Sequence, residues 1–148
     1  MKRLNDAQKI SRLLLNAIEQ FNKYDKKART FGTGQELFIA EIHLIDFIGN
    51  NPDCWISDIA KSMQVTKGAV SQVVKKLEKK GYVAKTDDAE NKAKVIVQLT
   101  ERGRIAFEGH QQFHNNIDKK IFSIIDSYSE KDCRAICTFL QTVQEDWK

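Results

Sequence analysis

Three histidines, three cysteines and one basic segment rich in small residues are the parts of this 148-residue chain whose types and spacing can do chemistry. His110 and His114 stand four residues apart, which puts two imidazoles on one helical face, where they can share a metal ion. A third, His43, lies on an earlier helical segment. The plainer alternative is three imidazoles hydrogen-bonded at a packed junction. Cys54, Cys133 and Cys137 make an odd count with no CxxC spacing, which argues against a disulfide framework or a zinc knuckle. Cys133 and Cys137 share a helical face, but a disulfide at that spacing within one helix is strained. All three are read as reduced thiols acting as small hydrophobes, with a redox-sensing role as the alternative. Ser71, Cys54 and the histidines share no motif that would join a nucleophile to a base, and neither GxxxxGK[ST] nor GxSxG occurs. An enzyme is not expected.

The basic segment follows Thr66, a fit N-cap, and runs from Lys67 to a glycine stop at Gly81. Ala69, Val70, Val73, Val74 and Leu77 form one apolar stripe along it. The other face carries Lys67, Gly68, Ser71, Gln72, Lys75 and Lys79. Gly68 and Ala69 are small enough for the backbone to approach a groove floor. Ser71 and Gln72 offer donors and acceptors to base edges, while Lys67 and Lys75 reach phosphates or guanine. The capped helix start is itself a phosphate-favouring site. A glycine in the first turn of a surface helix costs about 1 kcal/mol against alanine, so its presence favours a functional reading.

Around this helix the periodicities predict the elements that position it. Ile10, Leu13, Leu14, Ala17, Ile18 and Phe21 make a long amphipathic first helix, broken at Phe31-Gly32-Thr33-Gly34. A second helix over about Leu37 to Ile48 ends at Gly49-Asn50-Asn51-Pro52-Asp53. Trp55-Ile56 is a short extended stretch, and Ser57 is expected to cap a brief third helix from Asp58 to Met63, with a turn at Gln64-Val65. After the basic fourth helix, Tyr82-Val83-Ala84 and the alternating Val95-Ile96-Val97-Gln98-Leu99 read as a hairpin with a charged tip over Lys85 to Lys94. Thr100 caps a long fifth helix on which Phe113, Ile117, Ile121 and Ile125 recur every four residues. Ser129 to Asp132 is a capping box with Asp in place of Glu/Gln, opening a last helix that carries Cys133, Ile136, Cys137, Leu140, Val143 and Trp147. The fold class expected is mainly α with a small β-hairpin wing: a winged helix-turn-helix at the centre of a helical chain.

Composition agrees. With 41% hydrophobic and 30% charged residues and one proline, the chain is too apolar for disorder and has no flexible linker. No apolar run approaches the ~18 residues of a membrane span, and the start MKRLNDAQKI lacks a signal peptide's apolar region, so a cytoplasmic protein is expected. The net charge of +4 is unevenly spread. Residues 1–30 carry +5, residues 35–60 carry −5, residues 61–104 carry +6 and residues 105–148 carry −2. A basic block flanked by acidic segments is the footprint of a polyanion-binding element, although a solvated lysine-rich helix gives the same count.

Over nearly its whole length the sequence resembles the MarR family of winged helix-turn-helix transcriptional regulators. The most specific stretch runs from Ile56-Ser57-Asp58-Ile59-Ala60-Lys61-Ser62-Met63, through the helix that follows Thr66, to Leu99-Thr100-Glu101-Arg102-Gly103-Arg104. The resemblance implies an obligate homodimer in which residues 1–34 and 104–148 form a helical dimerisation region. Residues 35–103 form the DNA-binding domain, whose fourth helix enters the major groove of double-stranded DNA at a palindromic operator. It thereby accounts for oily end helices that a small monomer could not bury. The DNA-binding residues expected are Thr66, Lys67, Gly68, Ala69, Ser71, Gln72 and Lys75, with Lys92 and Lys94 on the wing.

Two departures sharpen the reading. The family's wing usually carries Asp-x-Arg, whose arginine enters the minor groove; Asn91 and Ala93 occupy those places here, flanked by lysines, so weak minor-groove readout is expected. In the zinc-sensing branch of the family, a carboxylate on the first helix, a histidine on the second and a histidine pair on the fifth bind zinc. Asp25, His43, His110 and His114 fall at matching places, whereas that branch's second site is replaced by Phe31, Ile42 and Gly109. The function expected is therefore a repressor released or engaged by a small effector, an anionic or aromatic molecule held near the dimer region or, alternatively, zinc. A winged-helix protein-interaction module is the competing class.

Overall fold

The computed structural model describes residues 2–87 and 95–147, which fall into two compact units, one ending at His110 and one running from Gln111 onward. In chain order the elements are α1 (Lys2–Asp25), α2 (Ile39–Asn50), β1 (Cys54–Trp55), α3 (Ile56–Ser62), α4 (Lys67–Lys79), β2 (Val83–Asp87), β3 (Val95–Leu99), α5 (Glu101–Ile125) and α6 (Glu130–Asp146). The mainly helical chain with a small antiparallel sheet is the class expected. Among the described residues no helix is long and apolar enough to cross a membrane.

The core of the first unit is a single cluster. Ile42, Leu44, Ile45 and Ile48 of α2 meet Ile59 and Ala60 of α3, Val70, Val74 and Leu77 of α4, and Tyr82, Val83, Val97 and Ala106. The sheet order is β1-β3-β2, with Val83 opposite Leu99 and Asp87 opposite Val95 in the hairpin. The expected extended stretch at Trp55 is a third strand, pairing Cys54 with Val97 and Trp55 with Ile96. That pairing holds Trp55 extended at the N-cap position, so α3 starts at Ile56 and Ser57 lies inside it rather than capping it. Leu37 likewise falls outside α2, because it exchanges two backbone hydrogen bonds with Arg29. Glu41 instead closes the start of α2 by accepting from the Phe38 N–H at 3.0 Å. Lys85 to Asp87, expected in the hairpin tip, are strand, paired with Val97 to Val95. The rest of the tip, residues 88–94, and with it Asn91, Lys92, Ala93 and Lys94, lies outside the described residues.

The turn between α3 and α4 is tight because Gln64 adopts a left-handed backbone, φ 54°, and the Val65 N–H reaches back to the Ala60 carbonyl at 3.0 Å. The start of α5 is equally constrained. Thr100 Oγ1 accepts from the Gly103 N–H at 3.1 Å and donates to the Gly81 carbonyl at 2.6 Å. Gly103 passes so close to the hairpin that a Cβ there would lie 2.0 Å from the Tyr82 carbonyl oxygen.

The end helices bury little. No residue of α1 from Leu4 onward is buried, and Leu4, Ile10, Leu13, Leu15, Ile18 and Phe21 are exposed. In the second unit no residue of α6 is buried, and Phe122, Ile124, Phe139 and Trp147 are exposed. Ser129 and Asp132 form the expected capping box, Ser129 Oγ accepting from the Asp132 N–H at 3.2 Å.

Gly103→Ala forces backbone apart at a rigid contact, and we expect it to destabilise the first unit by about 1–3 kcal/mol, the usual cost of overpacking. Urea melts checked by circular dichroism test this; a neutral substitution would mean that the α5 start is free to shift.

Candidate nucleic-acid interface

The α4 helix begins as its sequence dictates: Thr66 is extended (φ −73°, ψ 150°) and its hydroxyl accepts from the Ala69 N–H at 3.1 Å. Such a cap stabilises a helix by about 1 kcal/mol and fixes the angle at which the chain enters it. Val70, Val74 and Leu77 are buried and Val73 is half-buried, which turns the opposite face outward. Thr66, Lys67, Gly68, Ala69, Ser71, Gln72 and Lys75 are all exposed. Ala69, assigned by periodicity to the apolar stripe as well as to the contact face, is exposed but lines an apolar groove with Leu44, Met63, Val65, Val70 and Val73, so it stands at the edge between the two. Among the described residues, no side-chain hydrogen bond or ion pair occupies Lys67, Ser71, Gln72 or Lys75. Nothing but the Thr66 hydroxyl, at 3.9 Å, lies within 4 Å of where a Gly68 Cβ would sit. The result is a capped helix end with an open backbone and a row of unspent donors and cations, which suits close approach to a groove lined by phosphate and base edges.

The histidines lie elsewhere. In the first unit His43 Nε2 stands 3.9 Å from Asp25 Oδ2, and the His43 and His110 rings pack edge to face with centroids 5.8 Å apart. His110 is buried; its Nδ1 lies 3.2 Å from Asp46 Oδ1 and its ring packs edge-on against Phe31, 5.5 Å between centroids. Three of the four candidate ligands are thus neighbours. Yet among the described residues no three His, Cys, Asp or Glu side chains converge closely enough to hold a metal ion. His114 belongs to the second unit, where its ring packs against Phe113 at 5.4 Å. Sequence reasoning passed over Asp46. Its signal was available: it follows His43 by three residues on α2, so both project from neighbouring positions of one helix face.

Of the three cysteines expected to act as small hydrophobes, Cys54 is buried and Cys133 half-buried, whereas Cys137 is exposed on α6. Burial pushes the Cys54 thiol above the ordinary value, with Asp58 and Asp53 adding in the same direction. Such a thiol is a poor nucleophile at neutral pH.

Residues 37–95 match the model of the MarR family. Among curated proteins, the uncharacterised HTH-type transcriptional regulator YhjH of Bacillus subtilis is 30% identical over 101 residues, 68% of this chain and 58% of that protein. The HTH-type transcriptional regulator PchR of the same organism is 29% identical over 103 residues, 70% of this chain and 61% of that one. The chain spans about three-fifths of the length of these relatives. Both are regulators rather than enzymes. Among solved structures, Streptococcus pneumoniae FabT in complex with DNA matches with a TM-score of 0.75 at 29% identity, covering 95% of this chain and 99% of that one. ZitR of Lactococcus lactis, described as a zinc-responsive MarR family member, matches in fold with a TM-score of 0.79 at 17% identity, covering 95% and 99%. Through residues 37–95 and the winged helix-turn-helix they build, the chain belongs to the MarR family.

Proposed function

We propose that this protein is a homodimeric, sequence-specific DNA-binding transcriptional regulator of the cytoplasm, acting as a repressor whose hold on its operator is set by a small effector. The observation that carries this reading is the outward face of α4, capped by Thr66 and open at Gly68, with Ser71, Gln72, Lys67 and Lys75 unspent. The solved complex of FabT with DNA supports it by analogy. In the mechanism, α4 of each subunit reads one half of a palindrome, the two half-sites about 34–36 Å apart. Ser71 and Gln72 read base edges, while Lys67, Lys75 and, on the wing, Lys92 and Lys94 neutralise phosphate. Residues 1–34 and 104–148 are assigned to dimerisation because their apolar faces are left unburied by the single chain.

Gel-shift titrations on the DNA upstream of the protein's own coding region test this. Ser71→Ala or Gln72→Ala should cost about 1–3 kcal/mol and relax sequence preference, whereas Lys67→Ala should weaken all sequences alike and lower the salt slope by about one. Gly68→Ala separates folding from function. It should raise stability by about 0.5–1 kcal/mol, since the Cβ has room, yet weaken operator binding. Binding with no steep salt dependence would favour a protein-interaction module instead.

Zinc is a second reading for the effector. His110 donating to or accepting from a carboxylate, Asp46, matches the outer-shell support that metal-bound histidines usually have. His43 and Asp25 lie beside it, and His114 is the fourth candidate by spacing alone. A bound zinc would supply a cross-link between the elements carrying its ligands. Equilibrium dialysis should find about one zinc per chain, lost in His110→Ala with His114→Ala; no bound metal, or metal indifferent to that change, leaves an anionic or aromatic small molecule as the effector.

A further inference from the structure

A second basic site lies at the far end of the reading helix. Lys76 and Lys79 in the last turn of α4, its C-cap Lys80, Arg102 at the start of α5 and Gln35 line one open cleft of about 440 Å³. Lys79 prolongs the outward row of Lys67, Ser71 and Lys75 at four-residue spacing, but it stands twelve residues beyond Lys67, or roughly 18 Å along the helix axis. Four cations face it and only one has an acid. Lys80 Nζ bonds Glu41 Oε1 at 2.6 Å, and Glu41 is buried. Among the described residues, Lys76, Lys79 and Arg102 have no carboxylate partner.

Arg102 is the decisive member. Its guanidinium is half-buried and held in place, stacked 4.7 Å over the Tyr82 ring and donating to the Lys80 carbonyl at 2.8 Å and the Thr33 carbonyl at 3.5 Å. Lysines at a helix C-terminus are ordinarily explained by the helix dipole. That account also covers the bond from Arg102 to the Lys80 carbonyl, but not the gathering of Arg102, Lys76 and Lys79 on one cleft with, among the described residues, no carboxylate bound to any of the three. Nor does the negative end of the helix repel an incoming anion in the usual way, because Arg102 already occupies the C-cap carbonyl. A guanidinium has five donors and an ammonium three, so the fixed pair Arg102 and Lys80 keeps unused N–H groups while the two lysines beside it can close on a ligand.

We propose that this cleft binds a phosphorylated small molecule, its phosphoryl group held by Arg102, Lys76 and Lys79, and that binding adjusts the reading helix. The route is short: Arg102 touches the end of α4, the loop before α2 and the first turn of α5, so an anion drawing on its donors acts on all three. The regulatory half rests on the DNA-binding function proposed above; the binding half does not.

Inorganic pyrophosphate is the probe, titrated into the full-length protein by calorimetry at ionic strength held constant with sodium chloride. The expected result is saturable binding, one per chain, weakened about tenfold or more by Lys76→Gln with Lys79→Gln and unchanged by Lys67→Gln with Lys75→Gln. Both pairs are exposed and outside the core, so the folded state survives. Unsaturable binding, or equal loss in both double variants, overturns the site. In gel shifts pyrophosphate should alter operator affinity of the wild type but not of the Lys76/Lys79 variant, and identical affinity with and without it overturns the effector role. If the Lys76/Lys79 variant loses DNA affinity while pyrophosphate does not bind, the cleft is a DNA-backbone contact and the proposal fails. A wild-type chain that binds no DNA defeats the proposed function, while the calorimetric titration still judges the cleft.

Discussion

The winged unit depends on how closely the first turn of α5 can pass the end of α4. Tyr82 sits at that crossing, fully buried. Its hydroxyl bonds Thr33 Oγ1 at 2.7 Å, its carbonyl accepts from the Thr100 N–H at 3.0 Å, and Gly103 passes where no side chain would fit. Four segments are fixed by one residue: the loop before α2, the exit from α4, the hairpin and α5. Gly81, with φ 77°, makes the preceding turn possible, since the left-handed region is costly for any residue with a Cβ. The outward pose of α4 is therefore secured from behind, at its C-terminal end, and not only by the Thr66 cap at its front.

That arrangement divides labour along one helix. The N-terminal turns keep polar groups free and backbone open, a state that costs stability locally. The C-terminal turns carry Val74 and Leu77 into the core and anchor through Lys80 to buried Glu41. A buried carboxylate without its ammonium would be costly, so the Lys80–Glu41 pair specifies how α4 sits on α2 more than it adds net stability. A rigid base of this kind keeps the outward face of α4 in one fixed pose on the core.

Much of this was legible in the residues. Thr66, Thr100 and Ser129 each announced a helix start through local side chain to backbone bonding, and each does cap the helix that follows. The α4 stripe and the hairpin strands were visible because their periods are local. What escaped depends on partners distant in sequence. Trp55 caps α3 only because Ile96 holds it in a strand, and Leu37 leaves α2 because Arg29 claims its backbone. The fold-level role of Arg102 was invisible for the same reason: its partners are Thr33, Lys80 and Tyr82. The His110 and His114 pair was found by spacing, but the pairing of His110 with Asp46 spans 64 residues, and only the place of Asp46 beside His43 on α2 hinted at it.

The order of the two units along the chain has a consequence for synthesis. Every element of the winged core, from α2 to the first turns of α5, precedes Gln111, and the contacts that close it, Cys54 with Val97 and Asp46 with His110, are complete by that point. Domains tend to fold as units while the chain emerges, N-terminal first. The winged unit can thus mature on the ribosome before the exposed apolar residues Phe122, Phe139 and Trp147 have left it, so those residues meet the cell already tethered to a folded unit rather than to a loose chain.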